Sequence, residues 1–460
     1  MFLKRVQVPN FRALKNVDIS FEPDFNPTIF PLGSLNGGGK STLLQLIFVL
    51  LTCSGDRTKH IYIKNMLEGV QFKNGKNRLA TIELEDEDED ETLLLNFTVF
   101  NVSSFGYRTN NPNKEYLLEY FELDLSKHDL NRRLRSSTQE RNSLEKSLFE
   151  DPLDEDGQKI IEERLLDLEN KIKSFENTVF EIRQRLEKIE SELQDRGVKI
   201  VYKNTISYSS GYIFLMSYNE QDDLSCTEPP IHEHHKELVF DLVPSQVFLA
   251  APFTQVFRFL PQSSTSNLFK EQKYKAEYYS ELIEAKEKLP NWFTYDLLSV
   301  DYILDFFKAA RDEDFKQMIE TGEYGNTYKS VLNELNTLLD NKEIKLEPDL
   351  SGVIFTANDD GKEKQLYPAD LSHGELKRLS IYVWLRHLNI KDSIVLMDEI
   401  ENAFHPDWQY QIISDLEEWG ASNQFILATH SYELCQALTP AHVKEIEPRL
   451  IPEESSEVSN

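Results

Sequence analysis

Residues 33–42 read GSLNGGGKST and end in the G-K-S-T arrangement that is typical of a phosphate-binding loop. The three consecutive glycines have no Cβ, so their backbone N–H groups can approach a phosphate closely. The lysine would reach the β- and γ-phosphates, and the following serine hydroxyl would coordinate Mg²⁺. Ser34 stands where the usual pattern has glycine, and the alternative is a glycine-rich turn between a strand and a helix. The predicted nucleotide-binding residues are Asn36, Gly37, Gly38, Gly39, Lys40, Ser41 and Thr42, with Ser41 also a metal ligand.

The composition indicates a globular, cytoplasmic protein of roughly two or three domains. Hydrophobic residues make up 40% of its 460 residues and charged residues 28%. The sequence has no apolar run close to the ~20 residues of a membrane helix, so we expect no membrane partner. Its three cysteines are far apart, which fits a reducing compartment without disulfides.

The formal net charge of −29 argues against DNA binding through the average surface, because phosphate binding needs clustered lysine and arginine. A local basic patch remains compatible with this charge. The densest acidic run, at 83–91, reads ELEDEDEDE. It is either a solvated loop or a docking surface for a basic partner.

Short alternating segments predict strands around the loop. Residues 2–8 and 17–21 read as antiparallel strands, and 28–32 leads into the loop. Pro31 lacks an N–H group, so we expect it at the very end of its strand. The segments 79–84 and 93–100 predict a hairpin with the acidic run at its tip.

The stretch after residue 126 carries an apolar heptad seam, which predicts a coiled coil. A weaker seam precedes the main one, and the two are separated by the aperiodic EDPLDEDG at 150–157. We expect a projecting helical hairpin whose first arm, 127–149, is ~35 Å long at 1.5 Å per residue. The longer second seam would then leave apolar residues for the body, a second subunit or a partner. The alternative is that both helices pack on the core. The seam positions are Ile161, Leu165, Leu168, Ile172, Phe175, Val179, Ile182, Leu186, Ile189 and Leu193, preceded by Leu130, Leu134, Leu144 and Leu148.

The middle of the chain is less informative. Residues 200–218 and 238–250 have strand-like patterns, 268–339 is mostly helical in pattern, and the polar tail from 445 is expected to fray. The H-E-H-H run at 232–235 lies near Cys226, but it lacks the spacing of a zinc site. A polar loop is therefore favoured over a metal site.

Two later strands are followed by residues that suit a magnesium–nucleotide site. The apolar strand 393–397 is followed by Asp398, which would hold Mg²⁺, and by Glu399, which would polarise the attacking water. The strand 425–428 is followed shortly by His430, which would contact the γ-phosphate or the water. In LSHGE, residues 371–375, Ser372 and the Gly374 backbone would bind a γ-phosphate at a helix start.

These elements, in this order and with a large insertion after the first, resemble the ATP-binding-cassette ATPases. LSHGE is similar to that family's LSGGQ signature. The resemblance implies ATP and Mg²⁺ as cofactors, with Ser372 of one subunit facing Lys40 of another across the nucleotide. It therefore implies a homodimer at least, or a higher homo-oligomer. Gln255 is the candidate for the family's metal-contacting glutamine, with Gln262 as a competitor.

Further motifs narrow the resemblance. Residues 10–12, Asn-Phe-Arg, are similar to the opening of RecF and of chromosome-maintenance ATPases, which assigns Arg12 to the nucleotide site. Asp398-Glu399, Glu401 and His405-Pro406 resemble the DE-x-E-x-x-x-HP pattern of OLD-type ATPases. We expect no Toprim nuclease after His430. The chain thus resembles the stand-alone ATPases of bacterial anti-phage systems such as Septu and PARIS, in which a separate nuclease is the effector.

The sequence therefore predicts an α/β ABC-ATPase head, a mixed sheet flanked by helices, with an inserted antiparallel coiled-coil hairpin and a helical subdomain. The expected function is ATP hydrolysis, without nuclease activity, in a sensor or scaffold for a separate effector nuclease. A phage-derived trigger or DNA would be a further partner. The alternatives are a RecF-like DNA repair ATPase and, less favoured, a transporter subunit. The predicted segments are 1–125 (head with phosphate loop), 126–197 (hairpin), 198–264 (head resumed), 265–350 (helical subdomain), 351–445 (second part of the head) and 446–460 (tail).

Overall fold

The computed structural model describes most of the chain. The described residues are 1–34, 37–72, 76–86, 91–101, 114–150, 155–196, 198–207, 210–218, 242–269, 272–295, 300–339, 341–347, 349, 351–359 and 362–446. Several predicted features lie outside them: Asn36, residues 87–90 of the acidic run, the tip of the hairpin, the H-E-H-H run with Cys226, and the tail beyond 446. Among the helices that are described, none is both long and apolar enough to cross a membrane.

The strands and helices are numbered here in chain order. The strands are β1 Phe2–Phe11, β2 Leu14–Ser20, β3 Ile29–Gly33, β4 Lys76–Asp86, β5 Glu91–Asn101, β6 Val198–Ser207, β7 Ser210–Tyr218, β8 Val247–Pro252, β9 Trp292–Tyr295, β10 Lys342–Leu346, β11 Val353–Asp359, β12 Lys362–Leu366, β13 Ile394–Asp398, β14 Gln424–Ala428 and β15 Lys444–Glu445. The helices of five or more residues are α1 Lys40–Cys53, α2 His60–Leu67, α3 Lys114–Glu150, α4 Glu155–Gln194, α5 Gln262–Asn267, α6 Gln272–Lys288, α7 Val300–Thr321, α8 Thr327–Thr337, α9 His373–His387, α10 Pro406–Trp419 and α11 Tyr432–Gln436.

The chain forms two compact units. The first comprises Met1–Val70, Thr81–Leu93 and Glu237–Asn460, and the second comprises Gln71–Ala80 and Leu94–Lys236. The second unit therefore holds the coiled coil together with β6 and β7, whereas the sequence analysis assigns 198–264 to the resumed head. The mixed α/β fold class is confirmed, and the domain boundaries stay predictions.

A six-stranded sheet in the order β15-β3-β14-β13-β8-β9 forms the centre of the first unit. All its pairings are parallel, and β8, β13 and β14 are buried along their whole length. Helix α1 lies against β8, β13 and β14. Side chains of α9 and α10 join Val395, Met397 and Phe425 in one apolar cluster. Helices thus supply the burial that a parallel sheet needs, and the carboxyl ends of β3, β13 and β14 meet at one edge.

The predicted position of Pro31 is wrong. Pro31 lies in the middle of β3, opposite Leu427 of β14. In a parallel ladder, successive residues direct their N–H groups to opposite neighbours, and the Thr28 carbonyl accepts from Phe425 on the β14 side. The missing N–H of Pro31 therefore belongs to the β15 side, where pairing starts only at Leu32. The proline is tolerated because no ladder hydrogen bond is lost.

Antiparallel strands complete the first unit. β1 pairs with β2 and, through Phe2–Gln7, with the 81–85 part of β4. β10, β11 and β12 form a separate three-stranded sheet. The predicted helical stretch 268–339 does contain α6, α7 and α8, but it also contributes β9, an edge strand of the parallel sheet. It is therefore part of the same core rather than purely helical.

In the second unit α3 and α4 form the predicted antiparallel coiled coil. Arg185 pairs with Glu119, and Arg164, closer to the tip, pairs with Glu140. Every predicted seam position is buried or half-buried. β5, β7 and β6 form antiparallel pairs in the same unit.

The predicted length of the first arm is wrong. α3 has 37 residues and begins at Lys114, so it nearly equals the 40 residues of α4 and spans about 55 Å. Leu117 and Tyr120, in the extra turns, pack with Leu186, Ile189 and Leu193. The second seam therefore has a partner on α3 along its length, and the expected apolar excess does not exist. Heptad spacing is weak in those extra turns, which is why the sequence missed them.

Candidate nucleotide site

The loop between β3 and α1 has the backbone that its glycines permit. Gly37 and Gly39 both have positive φ, 82° and 93°. A Cβ on Gly39 would lie 2.7 Å from Leu14 Cδ2, so this position needs glycine for two reasons. α1 begins at Lys40, which places Ser41 and Thr42 in its first turn. The N-terminal end of this helix faces the loop, as a phosphate site requires.

The Lys40 ammonium is held at the mouth of the loop. Its Nζ donates to the Ser34 carbonyl at 3.3 Å and to Ser34 Oγ at 3.2 Å, and it lies 3.4 Å from His430 Nδ1. Burial lowers the pKa of Lys40, and the carboxylates of Asp398, Glu401 and Glu399 oppose that shift. A cation in this position is suited to the β- and γ-phosphates of a nucleotide.

Asp398 ends β13 and receives hydrogen bonds from two other elements. The Ser41 hydroxyl and the Gln255 amide both donate to its carboxylate, the latter at 2.5 Å. Burial, with the neighbouring Glu399 and Glu401, raises the pKa of Asp398 to about 6. The three predicted metal ligands therefore lie together.

Of the two candidate glutamines, only Gln255 contacts this group. Gln262 opens α5, where its backbone N–H donates to Glu68. The arrangement favours Gln255 on geometry.

These residues fit a magnesium ion. Ser41, Asp398 and Gln255 offer only oxygen ligands of the kind that Mg²⁺ binds. Within the described part of the chain, Gln255 Oε1 and Glu401 Oε2 are buried without a hydrogen-bond partner. A bound cation would satisfy such atoms, since buried oxygens rarely stay unpaired. When bound, Mg²⁺ would neutralise charge on the phosphate oxygens.

Glu399 has an unusual backbone. Its φ is 49°, in the left-handed region that a glutamate seldom adopts, and its N–H donates to the Ala428 carbonyl at 2.9 Å. Asn402 Nδ2 donates to Glu399 Oε2 at 2.6 Å and so orients the carboxylate. A strained residue that the surroundings hold in place marks a functional candidate. The conformation fits the role of water activation that the sequence predicts for Glu399.

His430 follows β14 and is exposed, beside Lys40. Its backbone N–H donates to Glu401 Oε1 at 2.7 Å. Glu401 is buried, so this hydrogen bond fixes the segment after β14 to the turn after β13. The structure thus brings together the predicted catalytic pair, Glu399 and His430, with the phosphate loop at the carboxyl edge of one sheet.

The signature segment forms a helix start with its own contacts. Ser372 caps α9: Glu375 N–H donates to Ser372 Oγ at 3.2 Å, and Ser372 N–H donates back to Glu375 Oε2 at 2.9 Å. Lys342 also pairs with Glu375. Ser372 and His373 are exposed, whereas Gly374 is buried.

Arg12 has a positive φ of 51°, directly after β1. Its guanidinium donates to the carbonyls of Met66 and Glu68 at the end of α2, at 3.0 and 2.9 Å. Burial and the nearby Arg258 lower the pKa of Arg12. These contacts give it a structural role at α2, and its predicted contact with the nucleotide stays a prediction.

Three residues of the site were missed by the sequence reasoning: Lys377, Tyr295 and Asn402. Lys377 is in helical phase with Ile381 and Trp384, so its place on the apolar face of α9 was a signal of burial. Tyr295 ends β9, which the helical pattern of the surrounding stretch concealed. Burial and the site carboxylates raise the pKa of Tyr295 well above its usual value.

The geometry suits nucleotide hydrolysis. A cationic loop, an oxygen-lined cation site and an oriented carboxylate converge at one sheet edge. A family model described as "AAA ATPase domain" matches residues 1–435. The chain belongs to this family, and it is an ATPase of the AAA type, a class that binds ATP.

Other comparisons are weaker. The "Retron Ec83 probable ATPase" of Escherichia coli is 41% identical over 51 residues, which is 11% of this chain and 9% of that protein. The match therefore covers less than a tenth of the length of that relative. Among solved structures, the Smc head domain with an extended coiled coil from Pyrococcus furiosus, bound to the C-terminal domain of ScpA, is 11% identical with a TM-score of 0.31. The alignment covers 96% of this chain and 95% of that one. The recombination mediator protein RecF is 14% identical with a TM-score of 0.28, covering 94% of both chains.

Proposed function

We propose that this ATPase closes as a dimer around ATP and Mg²⁺, and that the cycle of closing and opening controls a separate effector nuclease in bacterial anti-phage defence. The observation that carries the proposal is that Ser41 and Gln255 both donate to Asp398, whose charge also acts on the nearby Lys40 of the same chain. This half of a site binds a nucleotide and supplies its metal ligands. Nothing in the proposal assigns DNA cleavage to this chain.

The signature helix supports the dimer. Ser372 and His373 are exposed at the start of α9, while the four residues that follow are buried. The helix end is therefore rigidly mounted and open to a second molecule. The backbone N–H groups of His373 and Gly374 would meet the γ-phosphate held by the partner's loop. Two composite sites result, each with a loop from one subunit and a helix start from the other.

A complementation experiment tests whether each site is divided between two subunits. Lys40→Ala removes the loop half and Ser372→Arg blocks the helix half, so each variant alone should be inactive. A mixed dimer has one site with both defects and one intact site, so mixing should restore ATP hydrolysis. Random pairing makes half of the dimers mixed, and each mixed dimer has one of its two sites intact, so recovery to about a quarter of the wild-type rate would support the dimer. A mixture as inactive as its components would contradict it.

Two observations support the regulatory role: the net charge of the chain and its short sequence match to a retron protein. A net charge of −29 favours a basic protein over free DNA as the cargo. The matching 51 residues belong to a probable ATPase of a retron. Because ATP hydrolysis must move something, a docked protein that is held and then released fits this chain.

The test is to express the native operon and to purify this subunit. A nuclease encoded beside it should co-purify, and this chain alone should hydrolyse ATP without cutting DNA. The Lys40→Ala variant should alter the amount of nuclease retained, because the nucleotide state sets the docking surface. Recovery of the chain alone, with robust ATP-dependent DNA cleavage, would overturn the proposal.

A further inference from the structure

The signature helix and the turn after β13 are in direct contact. A Cβ on Gly374 would lie 2.8 Å from the carbonyl oxygen of Ala403, a backbone atom that has little room to move. It would also lie 3.4 Å from a ring carbon of Phe404. Glycine is therefore needed here for the close approach of α9 to the turn 399–404. This reason is separate from any contact with a phosphate.

Lys377, one turn further along α9, reaches the same turn. Its Nζ donates to the carbonyl of Glu399 at 2.9 Å and to that of Asn402 at 3.2 Å. The ammonium lies 4.1 Å from the centre of the Tyr295 ring and 5.3 Å from that of Phe404. Lys377 is 8% exposed, so these contacts replace water around its charge.

The turn needs such support. Glu399 and Ala403 both have positive φ, 49° and 71°, and neither is glycine. Left-handed residues of this kind cost about 1 kcal/mol or more each unless the surroundings hold them. Lys377 binds the carbonyls of two residues in this turn, so it fixes the peptide planes around Glu399.

Stability alone does not explain a lysine here. Burial lowers the pKa of Lys377 to about 7, against the opposing field of Glu401, Glu399 and Asp398. Between aromatic rings, an apolar side chain of similar length would fill the same space without a desolvation cost. A costly buried charge beside a strained catalytic turn indicates a role in function.

We propose that Lys377 is a positioning residue that fixes the Glu399 turn to the signature helix. The position of the water-activating carboxylate then depends on the position of the helix start at Ser372. This inference rests on the proposed function for the roles of Glu399 and Ser372. In the dimer, the helix start would serve the nucleotide on the partner's loop, whereas Glu399 serves the nucleotide on its own loop. Lys377 thus links the two composite sites.

The test compares Lys377→Met with Arg378→Met. Met keeps the length and removes the donor. Arg378 is the next residue of α9, and it pairs with Asp415 rather than with the turn. Both variants lose a largely buried charge, so both serve to report on stability, but only Lys377 touches the Glu399 turn.

For Lys377→Met we expect kcat to fall by about tenfold or more while KM and the ATP dissociation constant stay within about twofold. Arg378→Met should lower the melting temperature without such a split. A wild-type kcat in Lys377→Met would overturn the inference, as would a parallel rise in the dissociation constant. Should Lys377→Met not fold, Lys377→Leu, which also lacks a donor, replaces it with the same expected and excluding results.

Glu399→Gln, measured alongside, separates the proposed role of Glu399 from that of Lys377. If it turns over ATP at the wild-type rate, the proposed role of Glu399 fails. If it is slow while Lys377→Met is fully active, only the positioning role of Lys377 fails.

Discussion

The Gln255 side-chain amide donates a hydrogen bond to Asp398 Oδ2 at 2.5 Å. Gln255 lies three residues after the end of β8, and Asp398 is the last residue of the neighbouring parallel strand β13. Nε2 is the donor in this contact, and the side-chain oxygen Oε1 is buried without a hydrogen-bond partner in the described part of the chain. The side chain is therefore arranged to bind Asp398 with one atom and a cation with the other.

We predict that Gln255→Ala raises the Mg²⁺ concentration needed for half-maximal ATP hydrolysis by about tenfold, a typical loss for a residue that supports a metal site. Titration of the rate with MgCl₂ at saturating ATP measures it. Gln262→Ala is the matched control and should leave the midpoint unchanged. A shift caused by Gln262→Ala alone would show that the wrong glutamine has been assigned.

Lys40→Ala should abolish nucleotide binding. The loop loses the point charge that compensates the phosphates, and the remaining backbone donors bind a triphosphate poorly without it. Isothermal titration calorimetry should show that the dissociation constant for ATP rises by about 100-fold or more. Lys64→Ala, at an exposed position of α2, is the control. Unchanged ATP affinity in Lys40→Ala would reject the nucleotide site altogether.

Glu399→Gln should bind ATP normally but hydrolyse it about 100-fold more slowly or worse, because an amide cannot accept a proton from water. Shape is kept, so the ATP-bound dimer should accumulate, which light scattering would register as a doubled mass. The control is Glu417→Gln, an exposed carboxylate on α10. A monomer in saturating ATP, with hydrolysis blocked, would argue against closure around the nucleotide.

Lys377 should make the free energy of unfolding depend on pH between about 7 and 10. Its folded pKa is about 7, below the unfolded value of 10.5, so between these values the unfolded state binds more protons. Stability should therefore rise with pH from about 7 towards 10, by up to about 1.4 kcal/mol per unit. Lys377 is surrounded by Tyr295, Asp398, Glu399 and Glu401, and Lys377→Met keeps all four. The difference in unfolding free energy between wild type and variant should thus change with pH, and a constant difference would contradict the shifted pKa.

The sequence predicted the parts of the site that are local in the chain. The loop around Lys40 and the carboxylates at the end of β13 each follow a short apolar segment. Such a segment predicts a buried strand, so the polar residues directly after it are predicted to lie at the edge of a sheet. Pro31 was misplaced because its tolerance depends on where β15 begins, far along the chain. The contacts of Lys377 and Gly374 with the turn at 399–404 could not be predicted, because the periodicity of a sequence does not report contacts between distant segments. Long-range packing is what the pattern could not supply.

The coiled coil offers the last prediction, that it mediates assembly or partner contact rather than catalysis. Because α3 covers the seam of α4, the seam itself is not the docking surface. Leu166 and Phe180 lie outside it, 61% and 60% exposed, on the same heptad position of α4 with Lys173 between them. We choose these two exposed apolar side chains as the surface on which to test contact with a second subunit or a partner.

The double variant Leu166→Gln and Phe180→Gln tests this stripe, since glutamine preserves helix propensity and removes the apolar area. We expect the melting temperature and ATP affinity to be unchanged, while the oligomer mass by light scattering or the retention of the co-encoded nuclease falls. Glu163→Gln with Glu176→Gln, also exposed on α4, is the matched control. A shortened hairpin, with 135–169 replaced by a Gly-Ser bridge, keeps the register set by the Arg185–Glu119 pair and should show the same loss. If both changes leave oligomer mass and nuclease retention intact, the hairpin does not mediate assembly.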